Sequence, residues 1–252
     1  MTSSKVFITS AFLASGVTPL QAATTWIANL DFVANEKPDL PNPLSTELSD
    51  PNGKVPEWSY GYRDVIASTT LTLFATSDHN NAIGGNPDFQ GWQNSFLTTA
   101  ANTSGIVSGG LNPYDLLVHP MADSSSFTYN VIRWTAPSTG VYDISSSWYA
   151  ASTLTGPGLD GVDCHIVLNG TSLFDALVAP GQTVVDFGAV NLIAGDFVDF
   201  VLGPGNSGDS TSDSTIFNTT ITLVPETSST LLIAAAAPIL FRRRRKISNP
   251  PA

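Results

Sequence analysis

Apolar and polar residues alternate along much of the chain, at a period of two rather than at helical spacing. Six segments show the alternation, each bounded by Gly, Pro, Asn or Asp: residues 69–74, 127–134, 141–149, 162–168, 197–202 and 215–223. Successive side chains of a β-strand point to opposite faces, so the alternation predicts strands with one buried face. Between residues 24 and 224 we find no heptads, no obvious repeat and no amphipathic helix of useful length.

Short turns separate these predicted strands. Asn169-Gly170 precedes residues 171–174 and is typical of a type I′ hairpin, whose two central residues need a positive φ. Residues 36–52 and 77–93 are rich in Asp, Asn, Gly or Pro, and we expect two long surface loops there. Strands joined by tight turns predict an all-β fold, an antiparallel β-sandwich of the jelly-roll type.

The first 23 residues have the layout of a cleaved secretory signal. Lys5 is followed by the apolar residues 6–17, then by Pro19 and a run that ends in small residues. The alternative is a buried helix at the start of a domain, which Gly16 and Pro19 disfavour. We therefore expect a signal helix that is removed on export.

The other end of the chain has three parts in a fixed order. A short motif, Val224-Pro225-Glu226-Thr227, is followed by the apolar residues 231–241. A basic cluster comes next: Arg242, Arg243, Arg244, Arg245 and Lys246. Five adjacent positive charges are costly to move across a bilayer and are attracted to the anionic cytoplasmic leaflet, so we expect translocation to stop there. The alternative is a solvated basic tail or a nucleic-acid patch.

This order of parts resembles the PEP-CTERM sorting signal of Gram-negative bacteria. The resemblance covers about 25 residues, with Thr227 standing where that family has proline and with an apolar run shorter than the roughly 20 residues of a spanning helix. It implies a C-terminal hydrophobic helix that tethers a precursor in the inner membrane. It also implies an exosortase-type enzyme that cuts the tail and passes the protein to the cell surface or extracellular matrix.

The chain accordingly divides into a signal peptide (1–23), a β-sandwich domain (24–223), a sorting tail (224–246) and a disordered end (247–252). Within the domain, phrases such as Arg133-Trp134-Thr135 and Val167-Leu168-Asn169-Gly170 resemble the jelly-roll modules of bacterial surface proteins, which are similar to carbohydrate-binding modules. That resemblance covers roughly residues 127–223 and implies a polysaccharide as a partner.

The charge of the body excludes one class of partner. Residues 24–223 contain 20 of the 21 acidic residues and four basic ones, so their net charge is 4 − 20, or −16. A field of this sign repels nucleic acid and anionic lipid, and we expect no nucleic-acid partner. Cys164 is the sole cysteine and falls on the apolar face of a predicted strand, so the fold has no intrachain disulfide.

Two kinds of binding site are candidates in the body. Aromatic rings stack on sugar rings, and Trp58, Tyr60 and Trp92 are our candidates for glycan binding. Trp58 and Tyr60 share one face of a predicted strand, which could instead pack into the core, whereas Trp92 lies in a polar segment and is expected to be exposed.

Calcium is the second candidate ligand, because an acidic exported domain without disulfides could fix its loops with oxygen-ligated ions. The candidate ligands are Asp160, Asp163, Asp209 and Asp213, which could equally be ordinary turn-forming aspartates. No other cofactor is implied.

Catalytic motifs are absent from the sequence. There is no GxSxG elbow, HExxH, SxxK or phosphate-binding glycine loop, and the three histidines are far apart. We therefore expect a non-catalytic exported surface protein. A carbohydrate-binding module is the alternative, and a glycan-active hydrolase built on two carboxylates is a third hypothesis.

Overall fold

A computed structural model describes residues 23–35, 57–123, 126–152 and 160–225. The signal segment up to residue 22, the sorting tail from Glu226 onward and the whole loop expected at 36–52 lie outside these residues. Residues Ala23–Val224 form one compact unit. Nowhere in the described ranges is there a helix long and apolar enough to span a membrane.

Fifteen strands and one short helix make up the described part. In chain order they are β1 (Thr25–Ile27), α1 (Ala28–Asn35), β2 (Trp58–Arg63), β3 (Thr72–Leu73), β4 (His79–Asn80), β5 (Phe89–Asn94), β6 (Leu97–Asn102), β7 (Leu116–His119), β8 (Met121–Asp123), β9 (Ser126–Thr135), β10 (Gly140–Ala150), β11 (Val162–Leu168), β12 (Thr171–Val178), β13 (Thr183–Leu192), β14 (Phe197–Gly203) and β15 (Thr215–Val224). Single 3₁₀ turns occupy Thr76–Asp78 and Ile83–Gly85.

The strands form two antiparallel sheets. The first has the order β13-β10-β15-β7-β6-β5-β4, with β1 also paired to β15; the second has the order β12-β11-β14-β9-β2-β3, with β8 paired to β9. Within them, β13-β10-β15-β7 and β12-β11-β14-β9 alternate between layers as an eight-stranded jelly roll does. The all-β antiparallel prediction is confirmed, and β2 to β6 extend this jelly roll at one side of each sheet.

The core lies between the inner faces of the two sheets. Trp134, Phe200 and Cys164 from the second sheet pack with Trp148 and Phe217 from the first, and each is at most 3% exposed. The buried Cys164 is on the apolar face predicted for it, and burial raises the pKa of its thiol well above the usual value. Apolar burial on this scale supplies the main driving force of folding.

The outer face of the second sheet is partly covered by residues 64–71. Beneath them Asp199, which is 0% exposed, accepts hydrogen bonds from Arg63 Nη1 at 2.6 Å and from Arg133 Nε at 2.7 Å. The same two arginines donate to the carbonyl oxygens of Ser68 and Thr69. Half of the four basic residues of the body are therefore used to neutralise one buried carboxylate and to fasten this segment.

Three local predictions need correction. The strand expected at 69–74 is reduced to β3, because residues 64–71 cross the sheet instead of pairing in it. The surface loop expected at 77–93 contains β4 and most of β5. A short helix, α1, also lies in the body, where Asp31 accepts hydrogen bonds from Ile27 N and Trp58 Nε1 and where Phe32 is buried.

Candidate functional site

The three aromatic side chains proposed for glycan binding lie in the core. Trp58 and Tyr60 are 3% and 1% exposed on the inner face of β2, and Trp92, expected to be exposed, is 0% exposed on β5. Tyr60 stacks on Trp92 with 5.3 Å between ring centroids, and Phe32 meets both rings edge-on. The face shared by Trp58 and Tyr60 therefore packs into the sandwich, and in this structure none of the three rings can stack on a sugar.

The four aspartates proposed as calcium ligands lie together at one end of the sandwich. Asp160 accepts hydrogen bonds from the backbone N–H groups of Asn206 and Ser207, at 2.8 and 2.9 Å, and from Ser207 Oγ at 2.6 Å. Asp163 accepts one from Gly205 N at 2.9 Å. These bonds join residues 160–163 to residues 205–213, and we call the two segments together the acidic loop end.

Two glycines allow the acidic loop end to close. A Cβ on Gly161 would lie 2.0 Å from the carbonyl oxygen of Val178, and one on Gly205 would lie 2.5 Å from the carbonyl oxygen of Gly161. Both residues also have a positive φ, of 94° and 71°. A side chain at either position would therefore collide with backbone and strain the turn.

Asp213 is the unusual member of the group. It is 3% exposed, and its Oδ2 atom has no hydrogen-bond partner. Burial is the main reason that its pKa rises to about 8, and the negative charges of Asp160, Asp209 and Asp163 add to the shift. Near neutral pH this carboxyl group is therefore mostly protonated in the folded protein. By contrast, the pKa of Asp209 is lowered by a hydrogen bond from the Thr211 side chain and by a second one from Thr211 N at 2.8 Å.

A histidine beside this loop end was not among the candidates. On the outer face of β11, His165 Nε2 lies 2.9 Å from Asp163 Oδ2 and His165 Nδ1 lies 2.5 Å from Asp175 Oδ1. Burial alone would lower the pKa of His165, but the two carboxylates raise it overall. The sequence held part of the signal, since Asp163 and His165 share a strand face. Asp175 lies opposite His165 only because a register shift between Ile166 and Val167 moves the pairing by one residue from what the Asn169-Gly170 turn alone would give.

A crevice lies between the edge strands of the two sheets. It measures about 230 Å³ and lies between β12 and β13, with Ile144, Ile166, Leu173 and Val190 as its apolar lining. Asp186 is its one charged side chain. Asp186 and Gly188 both lie on inward-facing positions of β13. A Cβ added to Gly188 would meet no atom within 4 Å.

The chemistry of the two sites differs. The acidic loop end attracts cations, although in the described ranges no three His, Cys, Asp or Glu side chains converge closely enough to hold a metal ion by themselves. The crevice offers an apolar surface with a single acceptor, which suits a small and partly apolar ligand.

Comparison with known proteins adds little to this geometry. No protein-family model and no curated protein matches the sequence. Among solved structures, the chain is similar to a family 35 carbohydrate-binding module from Clostridium thermocellum (17% identity, 42% of this chain and 88% of that one, TM-score 0.26). It is also similar to rabbit GITRL (13%, 40% and 75%, 0.27) and to a β-glucosidase from Kluyveromyces marxianus (9%, 77% and 19%, 0.30). Likeness at this level carries no inference about function, which rests on the chain's own residues.

Proposed function

We propose that the chain is an exported, non-catalytic β-sandwich protein of the cell surface or extracellular matrix, sorted and cut through its C-terminal tail. The proposal rests on one observation: the motif Val224 to Thr227, the apolar residues 231–241 and the basic residues Arg242 to Lys246 follow one another directly. An apolar segment bounded by five positive charges halts in the bilayer with those charges on the cytoplasmic side.

The arrangement of the body suits such a tether. Strand β1 pairs with the last residues of β15, and Leu223 N donates a hydrogen bond to the carbonyl oxygen of Thr24 at 2.9 Å. The N-terminal and C-terminal ends of the body therefore lie side by side. A body with adjacent ends can be tethered there, and its sequence net charge of −16 disfavours contact with anionic lipid.

The experiment is intact-mass analysis of the exported protein from a bacterium that contains an exosortase. The expected product has lost the signal segment and the residues after the motif. Pro225→Ala combined with Glu226→Gln should leave the tail uncut and the protein membrane-bound, whereas the control Thr230→Ala should be processed normally. Identical processing of the motif variant and the native chain would count against the assigned motif.

Carbohydrate binding is a second candidate function, and the crevice between β12 and β13 favours it. A sugar ring has an apolar face for Leu173 and Val190, which are at least partly exposed, and hydroxyl groups that can donate to Asp186. The binding surface would then lie at this edge of the sandwich and would not include the buried rings of Trp58, Tyr60 and Trp92. An exported protein in a polysaccharide matrix would meet such ligands at high concentration.

Filling the crevice tests this second function. Gly188→Leu should abolish retention on polysaccharide columns without changing the melting temperature, because a side chain there meets open space. Ala189→Leu, on the exposed outer face of the same strand, is the matched control and should still bind. Equal retention of both variants, or no retention of the native protein on any glycan, would remove this function.

A further inference from the structure

An aspartate lies on an inward-facing position of the edge strand β13, on a face that is otherwise mostly apolar. Val184, Val190 and Leu192 occupy the same face and pack against the core. Asp186 lies between them, is partly buried and lines the crevice between β12 and β13. Withdrawing a carboxylate from water costs free energy unless a partner compensates it, so a partner is expected at this position.

No described residue supplies that partner. Within the described ranges the Asp186 carboxylate accepts no hydrogen bond and forms no ion pair. Both arginines of these ranges are bonded to Asp199, on the outer face of the other sheet. Strand β10 places Ser146 opposite Asp186, but the Ser146 hydroxyl is hydrogen-bonded to Thr219 Oγ1 at 2.8 Å. A cation that compensates Asp186 therefore has to come from outside the described residues.

The crevice beside Asp186 has room for one. Its volume is about 230 Å³, just below the roughly 300–1,000 Å³ of typical pockets for drug-sized ligands, which suits a single sugar ring. Gly188, two residues along the same face, keeps the space open, since a Cβ there would meet no atom within 4 Å. Leu173 of β12 and Val190 of β13 give the crevice apolar walls that are at least partly exposed. A ligand here meets an apolar surface and one negative charge.

The charge of the body favours a cationic ligand. Residues 24–223 have a sequence net charge of −16, which attracts cations and repels anionic glycans. A hydrogen bond from an ammonium group to a carboxylate is roughly twice as strong as a bond between neutral groups. A neutral sugar hydroxyl would therefore compensate Asp186 less well than a protonated amine would.

We propose that the crevice binds the protonated amine of an amino sugar within a polysaccharide. Asp186 accepts the hydrogen bonds of the ammonium group, while Leu173 and Val190 contact the apolar face of the ring and Gly188 leaves the ring its space. This inference rests on the carbohydrate-binding function proposed above and narrows it to one substrate class, cationic glycans built from deacetylated hexosamines. It does not depend on the sorting tail.

Calorimetric titration of the full chain at mildly acidic pH tests this assignment. The ligands are a glucosamine tetramer and its N-acetylated counterpart, which has the same rings without the charge. The native chain should bind the glucosamine tetramer about tenfold more tightly, and Asp186→Asn should remove this preference. Asp143→Asn is the matched control, because it lies on the opposite face of the same sheet and also changes the net charge of the body from −16 to −15. It should keep the preference.

The outcomes separate this inference from carbohydrate binding as such. Equal affinity of the native chain for the two tetramers, or an equal loss in Asp186→Asn and Asp143→Asn, would overturn the inference. Binding of neutral glycans that Gly188→Leu abolishes would in that case still support the carbohydrate function. No binding of any glycan would remove both. Spermine, a polycation without a sugar ring, should not displace the glucosamine tetramer, and full displacement would contradict a sugar site.

Discussion

Replacing Asp213 with asparagine should stabilise the protein at neutral pH once divalent cations are removed. The pKa of Asp213 rises from 3.8 to about 8 in the folded state. At pH 7 the unfolded chain has this carboxyl ionised while the folded chain keeps it mostly protonated. Folding must therefore pay for taking up a proton, and asparagine, of nearly the same shape, removes that cost.

The size of the effect follows from the shift. The relevant gap is 7 − 3.8, or about 3 pKa units, and each unit corresponds to about 1.4 kcal/mol, which gives an upper limit of about 4 kcal/mol. Screening by water and salt at a loop end reduces this value. We expect Asp213→Asn to gain about 2 kcal/mol in free energy of unfolding at pH 7.

The pH dependence has a definite sign. A carboxyl whose pKa is raised by folding contributes its stability at acid pH and loses it as the pH rises from about 4 toward 8. The variant does not titrate at this position. Its advantage over the native protein should be small near pH 4 and largest near pH 8, because all other groups are shared and cancel in the difference.

Urea denaturation in EDTA, followed by tryptophan fluorescence at several pH values, measures this difference. A difference that is independent of pH, or a variant less stable than the native protein at pH 8, would refute the reasoning. In that case the Asp213 carboxylate would have a compensating partner in solution.

Three further substitutions test the packing around the candidate sites. Asp199→Asn should lower the free energy of unfolding by about 3 kcal/mol in urea denaturation, because two arginines keep buried charges with a weakened partner; a loss below about 1 kcal/mol would contradict it. His165→Gln should cost more stability near pH 5.5 than near pH 9, since the raised pKa of His165 stabilises the fold at low pH and is lost as the pH rises through it; a constant deficit would be inconsistent with the ion pairs. Gly161→Ala should lower the melting temperature markedly through a clash with the carbonyl oxygen of Val178, whereas Gly188→Ala should leave it unchanged. Equal melting temperatures of the two variants would contradict the close contact between Gly161 and Val178.

The strands were largely predictable from local pattern. Alternation placed β9, β10, β11, β14 and β15 within a few residues of their observed bounds. Asn169-Gly170 marked the β11–β12 hairpin, and both residues have the positive φ that this turn requires, 48° and 86°. These elements were predictable because period and turn chemistry are properties of neighbouring residues.

Residues 77–93 show where local pattern misled. Their Asn, Asp and Gly content suggested a surface loop around Trp92, yet Gly91 and Trp92 belong to β5. A Cβ on Gly91 would lie 2.3 Å from the carbonyl oxygen of Thr99, so the glycine marks a close approach of β5 to β6 rather than a loop. Such a contact depends on a partner strand and is not visible in the segment alone.

The candidate site was predictable only in part. Four aspartates could be named, but their assembly depends on pairing among β11, β12 and β14, which brings residues 160–163 against residues 205–213. The isolation of Asp213 comes from the folded environment and leaves no trace in its neighbours in sequence. The crevice is visible in the sequence to some degree, since Asp186 and Gly188 stand where the inward positions of β13 would otherwise carry apolar residues.

The central claim is that the tail sorts an acidic sandwich to the outside of the cell. Intact-mass measurement of the protein recovered from the surface or medium of an exosortase-containing bacterium tests it most directly. We expect a single species that lacks the signal segment and the basic residues Arg242 to Lys246. Recovery of the uncut chain of 252 residues from the cytosol would contradict the account.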